Sequence, residues 1–235
     1  MSHRFDQDKT GLRDLLRSGR CGELGYLVCR FTCDNRNHGD WGEFRYGIDD
    51  ALMVEGSVHH LDILADLAGA KCDTIYAQTW KPAWGDFKGD CQGLVTMAFE
   101  NGVRAIYEGA KANAVGLNGW ANEYIRAECE KATVTVQNRR MEWFPYDPGK
   151  PREQRSEGSG EDVPLPEGGK WRNTLLIERF CRWLDGGPPM ETRVEENLQS
   201  VALIFAAIKS SRTGLPVRVQ ELLADTREAV RRQMA

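Results

Sequence analysis

The stretch Glu55-Gly56-Ser57-Val58-His59-His60-Leu61-Asp62 places two carboxylates and an imidazole where a single stripe of a helix would carry them. Glu55 and His59 are one turn apart and Asp62 lies three residues beyond, so the three can meet on a helix. A histidine braced by a carboxylate has a defined tautomer and a tuned pKa, which proton transfer near neutral pH requires. His59 is therefore the candidate acid–base residue, Glu55 its brace, and Asp62 a second brace or a cap of the helix interior. A histidine–carboxylate pair on a helix is also a common structural device, and the motif by itself leaves both readings open. His60 points about 100° away on the same helix and reads as a packing or surface residue. The polar loop before the motif offers Asp34, Asn35, Arg36 and His38 as contacts for substrate hydroxyls, or as plain solvated residues.

Periodicity supplies the elements that must position these groups. Residues 6–18 read as a helix with Leu12, Leu15 and Leu16 on one side and Gly19 as its stop. Residues 25–33 alternate as a strand, and 51–67 form the helix that carries the motif. Short strands follow at 73–80, 93–100, 103–111, 124–130, 133–137 and 141–144, with Asn101-Gly102 as a two-residue hairpin turn. Strands so close together leave no room for crossover helices and must pair antiparallel. One face of this meander should carry Ile75, Val95, Met97, Phe99, Ile106, Val134 and Val136. The other should carry Tyr76, Gln78, Trp80, Thr96, Tyr107 and Arg126, aromatic enough to be covered by a second subunit. Residues 148–170, rich in Pro, Gly, Ser and charge, read as a surface loop. Helices over 171–185, 192–212 and 220–232 complete the chain, the second opened by a Thr192/Glu195 capping box. The expected class is α+β: one large, mostly antiparallel open sheet with helices on one face, in a single domain over 1–235.

Composition narrows the function. With 31 basic and 35 acidic residues the net charge is −4, and no basic stripe interleaves with aromatics, so nucleic acid is not an expected partner. No apolar run approaches the roughly 18–20 residues of a membrane span, and the first residues lack a signal-like apolar region. The 7 cysteines are odd in number and lack any CxxC, which reads as reduced thiols in a cytoplasmic protein without a metal centre. There is no G-x-G-x-x-G, whose glycines let a backbone approach a pyrophosphate, no Walker motif and no G-x-S-x-G. The expectation is thus an acid–base residue without a cofactor site, in a chain that starts as if inside a longer one.

Several segments together resemble the second domain of the glucose–fructose oxidoreductase, inositol dehydrogenase and rhizopine-catabolism (Gfo/Idh/MocA) family. They are Met1-Ser-His-Arg-Phe-Asp with Arg17-Ser-Gly-Arg-Cys-Gly-Glu-Leu24, the Glu55–Asp62 motif beside that family's D-x-x-x-H-x-x-D, and Phe99-Glu-Asn-Gly102. To these add Ile125-Arg-Ala-Glu-Cys-Glu-Lys131 and Glu195-Glu-Asn-Leu-Gln-Ser-Val201. The resemblance implies a dihydrodipicolinate-reductase-like C-terminal domain that shapes the substrate pocket and builds homodimers or tetramers through its sheet. It implies NAD or NADP as cofactor, held by an N-terminal Rossmann domain that is not in this chain, the chain being either a truncated gene product or the partner of a separate Rossmann subunit, and inactive alone. The implied reaction is oxidation of a secondary alcohol of a sugar or cyclitol. His59 matches the family's active-site histidine, which takes the hydroxyl proton while hydride leaves the same carbon for nicotinamide; Glu55 and Asp62 match the flanking carboxylates. Two departures stand out: Glu55 replaces the aspartate of inositol dehydrogenases, and the lysine of the family's E-K-P motif is absent, Lys81-Pro82 being a false match. The other readings are a non-catalytic carbohydrate-binding or scaffold protein that keeps the fold and, more weakly, a metal-dependent hydrolase using His59, His60 and Asp62. Adjacent histidines diverge on a helix, whereas a metal pair is expected at i, i+4.

Overall fold

A short 3-10 turn, His3–Phe5, leads into helix α1, Gln7–Arg17, whose Leu12 and Leu15 are buried and which gives way to Gly19 at φ +77°. Strand β1 follows at Leu24–Thr32, then a 3-10 turn at Glu43–Gly47. The motif segment winds first as a π-helix over Leu52–Ser57 and then as the α-helix α2, Val58–Ala68, closed by Gly69 in the left-handed region. Strands β2 (Cys72–Trp80), β3 (Gln92–Phe99), β4 (Arg104–Ala110), β5 (Tyr124–Cys129), β6 (Ala132–Gln137), β7 (Arg140–Pro145) and β8 (Glu161–Val163) come next. Helices α3 (Arg172–Leu184) and α4 (Val194–Thr213), strand β9 (Val217–Arg218) and helix α5 (Val219–Met234) end the chain. The structure is a computed structural model that describes residues 1–37, 42–150 and 152–234.

The strands form one nine-stranded sheet in the order β8-β7-β6-β5-β1-β4-β3-β2-β9. Every neighbouring pair is antiparallel except β1 and β4, which run parallel with Val28 opposite Ile106. The expected meander is therefore two antiparallel sets with β1 laid between β4 and β5. Both sets are local hairpins, whereas the insertion of β1 is a long-range pairing that strand spacing does not encode.

Two turns differ from expectation. Gly102 N–H bonds to the Phe99 carbonyl at 3.0 Å and Gly102 has φ +92°, so the β3–β4 loop has three residues, with glycine at the left-handed position. The two-residue turn occurs instead between β6 and β7, where Asn138 and Arg139 both have positive φ. The Thr192/Glu195 capping box does not form either: α4 begins at Val194 without a side-chain cap. The 148–170 loop includes β8, which pairs its three residues with Met141–Trp143.

Helices α2 and α4 pack on one face of the sheet, and the core between them includes Leu61, Leu64, Ile75, Val95, Met97, Val134, Leu203 and Ala207. Ile106 and Tyr107 exchange the faces expected of them. Val95 lies opposite Tyr107 and Thr96 opposite Ile106, so Tyr107 is fully buried under the helices and Ile106 is 47% exposed on the open face. Strand parity overrides hydrophobicity here, because the tyrosine hydroxyl finds partners inside. The open face also exposes Tyr26, Trp80 and Leu94. No helix among the described residues is long and apolar enough to cross a membrane.

Candidate functional site

The site is assembled where the central strands end. Phe31 lies near the end of β1, Lys111 directly follows β4 and Glu123 directly precedes β5; the pairings Thr32–Ala110 and Arg30–Tyr124 bring all three to one end of the sheet. The π segment and α2 cross above them. Gly56 makes this approach possible, since a Cβ there would meet Lys111 Cε at 3.1 Å and Phe31 Cε1 at 3.5 Å.

The motif residues diverge. A π turn holds more residues than an α turn, so Glu55 does not stack over His59. Its carboxylate is taken by Lys111, and Arg45 Nε lies 3.4 Å from its other oxygen. Lys111 also donates to the Ala51 carbonyl at 3.0 Å, and burial lowers its pKa against the opposing pull of Glu55. Asp62 is buried towards α4: Ser200 donates to it, and Arg4 lies 3.5 Å away. Burial pushes its carboxyl up in pKa against those two partners. The expected brace of His59 by Glu55 and Asp62 is thus not formed.

His59 itself is partly exposed and makes no hydrogen bond to the described residues; its Nδ1 is buried without a partner. Its ring stacks on His3, with centroids 4.4 Å apart at 21°, and meets Trp120 edge-on at 5.7 Å. Burial, with His3 and His60 beside it, pushes its pKa down to about 3. The imidazole is therefore neutral near pH 7 and able to accept a proton, as a weaker base than free imidazole.

His60 lies fully buried beneath. Ser57 Oγ donates to the Tyr107 hydroxyl at 3.1 Å, and that hydroxyl lies 3.1 Å from His60 Nδ1. His60 Nε2 is 3.4 Å from Glu123 Oε1, so the network assigns the proton to Nε2. Phe31 and Trp120 stack on this ring, with centroids at 4.4 and 5.6 Å. Glu123 is fully buried. It accepts from Lys9 Nζ at 2.7 Å and from the Ala121 N–H at 3.2 Å, with His3 Nδ1 3.7 Å away. Lys9 also reaches Asp8 at 3.2 Å. Burial alone would raise the Glu123 pKa, but its contacts with His3, His60 and Lys9 hold it far below the usual carboxylate range. Lys9 is correspondingly raised: Glu123 and Asp8 outweigh the cost of burying it.

His3 Nδ1, His60 Nε2 and a Glu123 oxygen lie within 4.8 Å of one another, a spacing a metal could use. Lys9 already neutralises that carboxylate, and a dication seated there would face the ammonium at close range. The set therefore fits a hydrogen-bonded network better than a metal centre. His59, His60 and Asp62 do not form a donor set among the described residues.

Of the loop residues, Asn35 donates its N–H to the Lys111 carbonyl at 2.7 Å. Arg36 Nε donates to the Asn113 carbonyl at 2.9 Å, with its guanidinium over Trp84. Asp34 is exposed and bridges Ala112, and His38 lies outside the described residues. The structure thus brings Asn35 and Arg36 beside the Lys111 end of the site. Sequence reasoning missed Lys9, Lys111, Tyr107 and Glu123 as site residues. Lys9 stands three residues before Leu12 on a buried stripe, while Lys111 and Glu123 share strand parity with buried Tyr107 and Ile125; each placed a charge at a core position.

Comparison with known proteins places this geometry. The Uncharacterized protein y4oX of Sinorhizobium fredii is 52% identical over 227 residues, covering 97% of this chain and 63% of that protein. An Agrobacterium radiobacter oxidoreductase in complex with NAD+, L-tartaric acid and magnesium superposes with a TM-score of 0.74 at 20% identity, over 93% of this chain and 64% of that one. The WlbA dehydrogenase of Bordetella pertussis, in complex with NADH and UDP-GlcNAcA, gives a TM-score of 0.72 at 21% identity, over 92% and 62%. At such identities the two structures establish the fold. The chain spans less than two thirds of the length of each of these relatives. A model of the GFO/IDH/MocA C-terminal domain matches residues 10–135, more than half of the sequence, and the chain belongs to that oxidoreductase C-terminal domain family.

Proposed function

We propose that this domain forms the substrate-facing side of an NAD(P)-dependent oxidoreductase acting on a secondary alcohol of a sugar or cyclitol, with His59 as the acceptor of the hydroxyl proton. The observation that carries the reading is the state of His59: neutral, partly exposed, and without a hydrogen bond of its own in a site where His60, Glu55 and Asp62 are all engaged. A buried polar atom left unpaired in a native site calls for a partner, and a substrate hydroxyl is one. The solved relatives holding NAD+ or NADH, one with a nucleotide sugar and one with a hydroxy acid, support the chemical class.

The oxidation needs a hydride acceptor, which is what a nicotinamide supplies. This sequence has no G-x-G-x-x-G, so its own residues do not fit the pyrophosphate, and the dinucleotide is held by a unit other than this domain. The chain's own part is proton transfer and placement: His59 takes the proton, Glu55, held from behind by buried Lys111, faces neighbouring hydroxyls, and Asn35 and Arg36 border them. Open-face residues Tyr26, Trp80, Leu94 and Ile106 would be covered by a second copy in a homodimer or tetramer.

The test is nicotinamide reduction by the enzyme in which this domain works with its dinucleotide-binding unit, over a panel of sugars, cyclitols and hydroxy acids. His59→Asn should lower kcat by roughly 10²–10⁴-fold, the usual contribution of general base catalysis. An enzyme that turns over equally well without the His59 imidazole would reject the assignment and favour a binding or scaffold role.

A further inference from the structure

We propose that Glu123 is a positioning residue for His59: it fixes the His3 ring, and the His3 ring fixes His59 by stacking, a task the carboxylates of the motif do not perform.

Four observations lead there. No described residue hydrogen-bonds the His59 side chain; its ring meets Trp120 edge-on and lies parallel to His3, at 4.4 Å and 21°. His3 in turn belongs to a 3-10 turn and sets its Nδ1 3.7 Å from Glu123 Oε1, within ion-pair reach but without a hydrogen bond. Glu123 cannot follow His3 if that ring moves, because Lys9, His60 and the Ala121 N–H hold it from other sides. Trp120 closes the arrangement, edge-on to both His3 and His59 and stacked towards His60, so the three imidazoles surround one indole.

The chain of contacts has an electrostatic consequence. His59 faces His3, His60, the Met1 amino group and Glu123, with Lys9 behind the carboxylate. Two stacked imidazoles cannot both carry a proton cheaply. Burial, with the His3 and His60 rings beside it, therefore keeps His59 in the unprotonated form. Glu55, one turn before His59 in sequence, contributes nothing to this because Lys111 and Arg45 occupy it.

The inference rests on reading His59 as the proton acceptor, but its test requires no turnover. Histidine-ring NMR of the 235-residue chain, titrated from pH 8 down to about pH 2, should place the His59 midpoint near 3 and show close ring-proton contacts between His3 and His59. In His3→Gln the His59 midpoint should rise by about 1 unit or more, since part of its cover and a neighbouring imidazole are removed. In Lys9→Met/Glu123→Gln, which removes both charges of the pair but leaves buried Asp8 without its ammonium partner, the His3–His59 contacts should weaken and the His59 signal should move. Glu123→Asp, which keeps the charge but withdraws it from His3, decides the question if the double variant does not fold. An unchanged His59 midpoint in His3→Gln, or unchanged His3–His59 contacts when Glu123 is altered, overturns the proposal. Absence of this coupling, with midpoint and contacts unchanged in those variants, while His59→Asn is inactive rejects the positioning role alone. Intact coupling with an active His59→Asn enzyme rejects the catalytic reading alone.

Discussion

Lys9 and Glu123 form an ion pair with side chains 1% and 0% exposed, joining α1 to the start of β5 across 114 residues of sequence. Removing one partner of such a pair strands a charge in the interior, which typically costs about 3–5 kcal/mol. Replacing both with neutral groups costs far less, since each charge had to be desolvated in the first place. For a domain of this size 1 kcal/mol moves the melting temperature by about 2–4 °C, so Lys9→Met should lower it by roughly 6–20 °C. Lys9→Met/Glu123→Gln should recover much of that loss, although His60 and His3 then face an amide instead of a carboxylate. The assay is thermal unfolding followed by circular dichroism at pH 7, with both single variants and the double variant closing a mutant cycle. The pH dependence has a definite sign. Glu123 is depressed in the folded state, so its contribution is complete above the ordinary carboxylate range and declines as pH falls through and below that range. Lys9 is raised, so its contribution is complete below the ordinary lysine range and is lost only in strong alkali. A Lys9→Met domain that melts within 2 °C of the parent, or a double variant whose loss equals the sum of the singles, would refute this account of the pair.

Two further outcomes follow from the same geometry. Ser200→Ala removes the hydroxyl that holds buried Asp62 against α4, and Asp62 Oδ2 already lacks a partner; the loss should be about 1–3 kcal/mol by denaturant unfolding, without a change in m-value. Because the His59 pKa is about 3, the enzyme's kcat/KM should show no acidic limb from this residue between pH 5 and 8; a limb in that range that disappears in His59→Asn would contradict it.

The sequence disclosed the elements more readily than their partners. Strands β2, β3 and β4 alternate cleanly and follow one another in the sheet, so their bounds were readable to within a residue or two. The position of β1 was not, because a parallel neighbour some 70 residues away leaves no local mark. Ile106 and Tyr107 show the limit of ranking by hydrophobicity: the buried tyrosine is tolerated because Ser57 and His60 satisfy its hydroxyl. The catalytic candidate His59 was visible as part of a compact motif, but its expected brace was not realised, since the π turn that separates Glu55 from it depends on packing and not on propensity. Lys9, Lys111 and Glu123 are scattered along the chain, and each could be found only by asking why a charge shares the stripe of buried neighbours.

The lodging of β1 between β4, to which it runs parallel, and β5, to which it runs antiparallel, makes that strand the seam of the whole sheet. Until it docks, β2–β4 and β5–β8 are two separate meanders, each able to form from nearby residues. Joining them requires an early-sequence segment to find both at once, a high-contact-order step that should set the folding rate. Lys9, His59, Tyr107 and Glu123 lie on four stretches that only this closure brings together, so a half-assembled molecule has none of the charge network around the imidazole. Competence for proton transfer and completion of the sheet should therefore appear in the same kinetic phase.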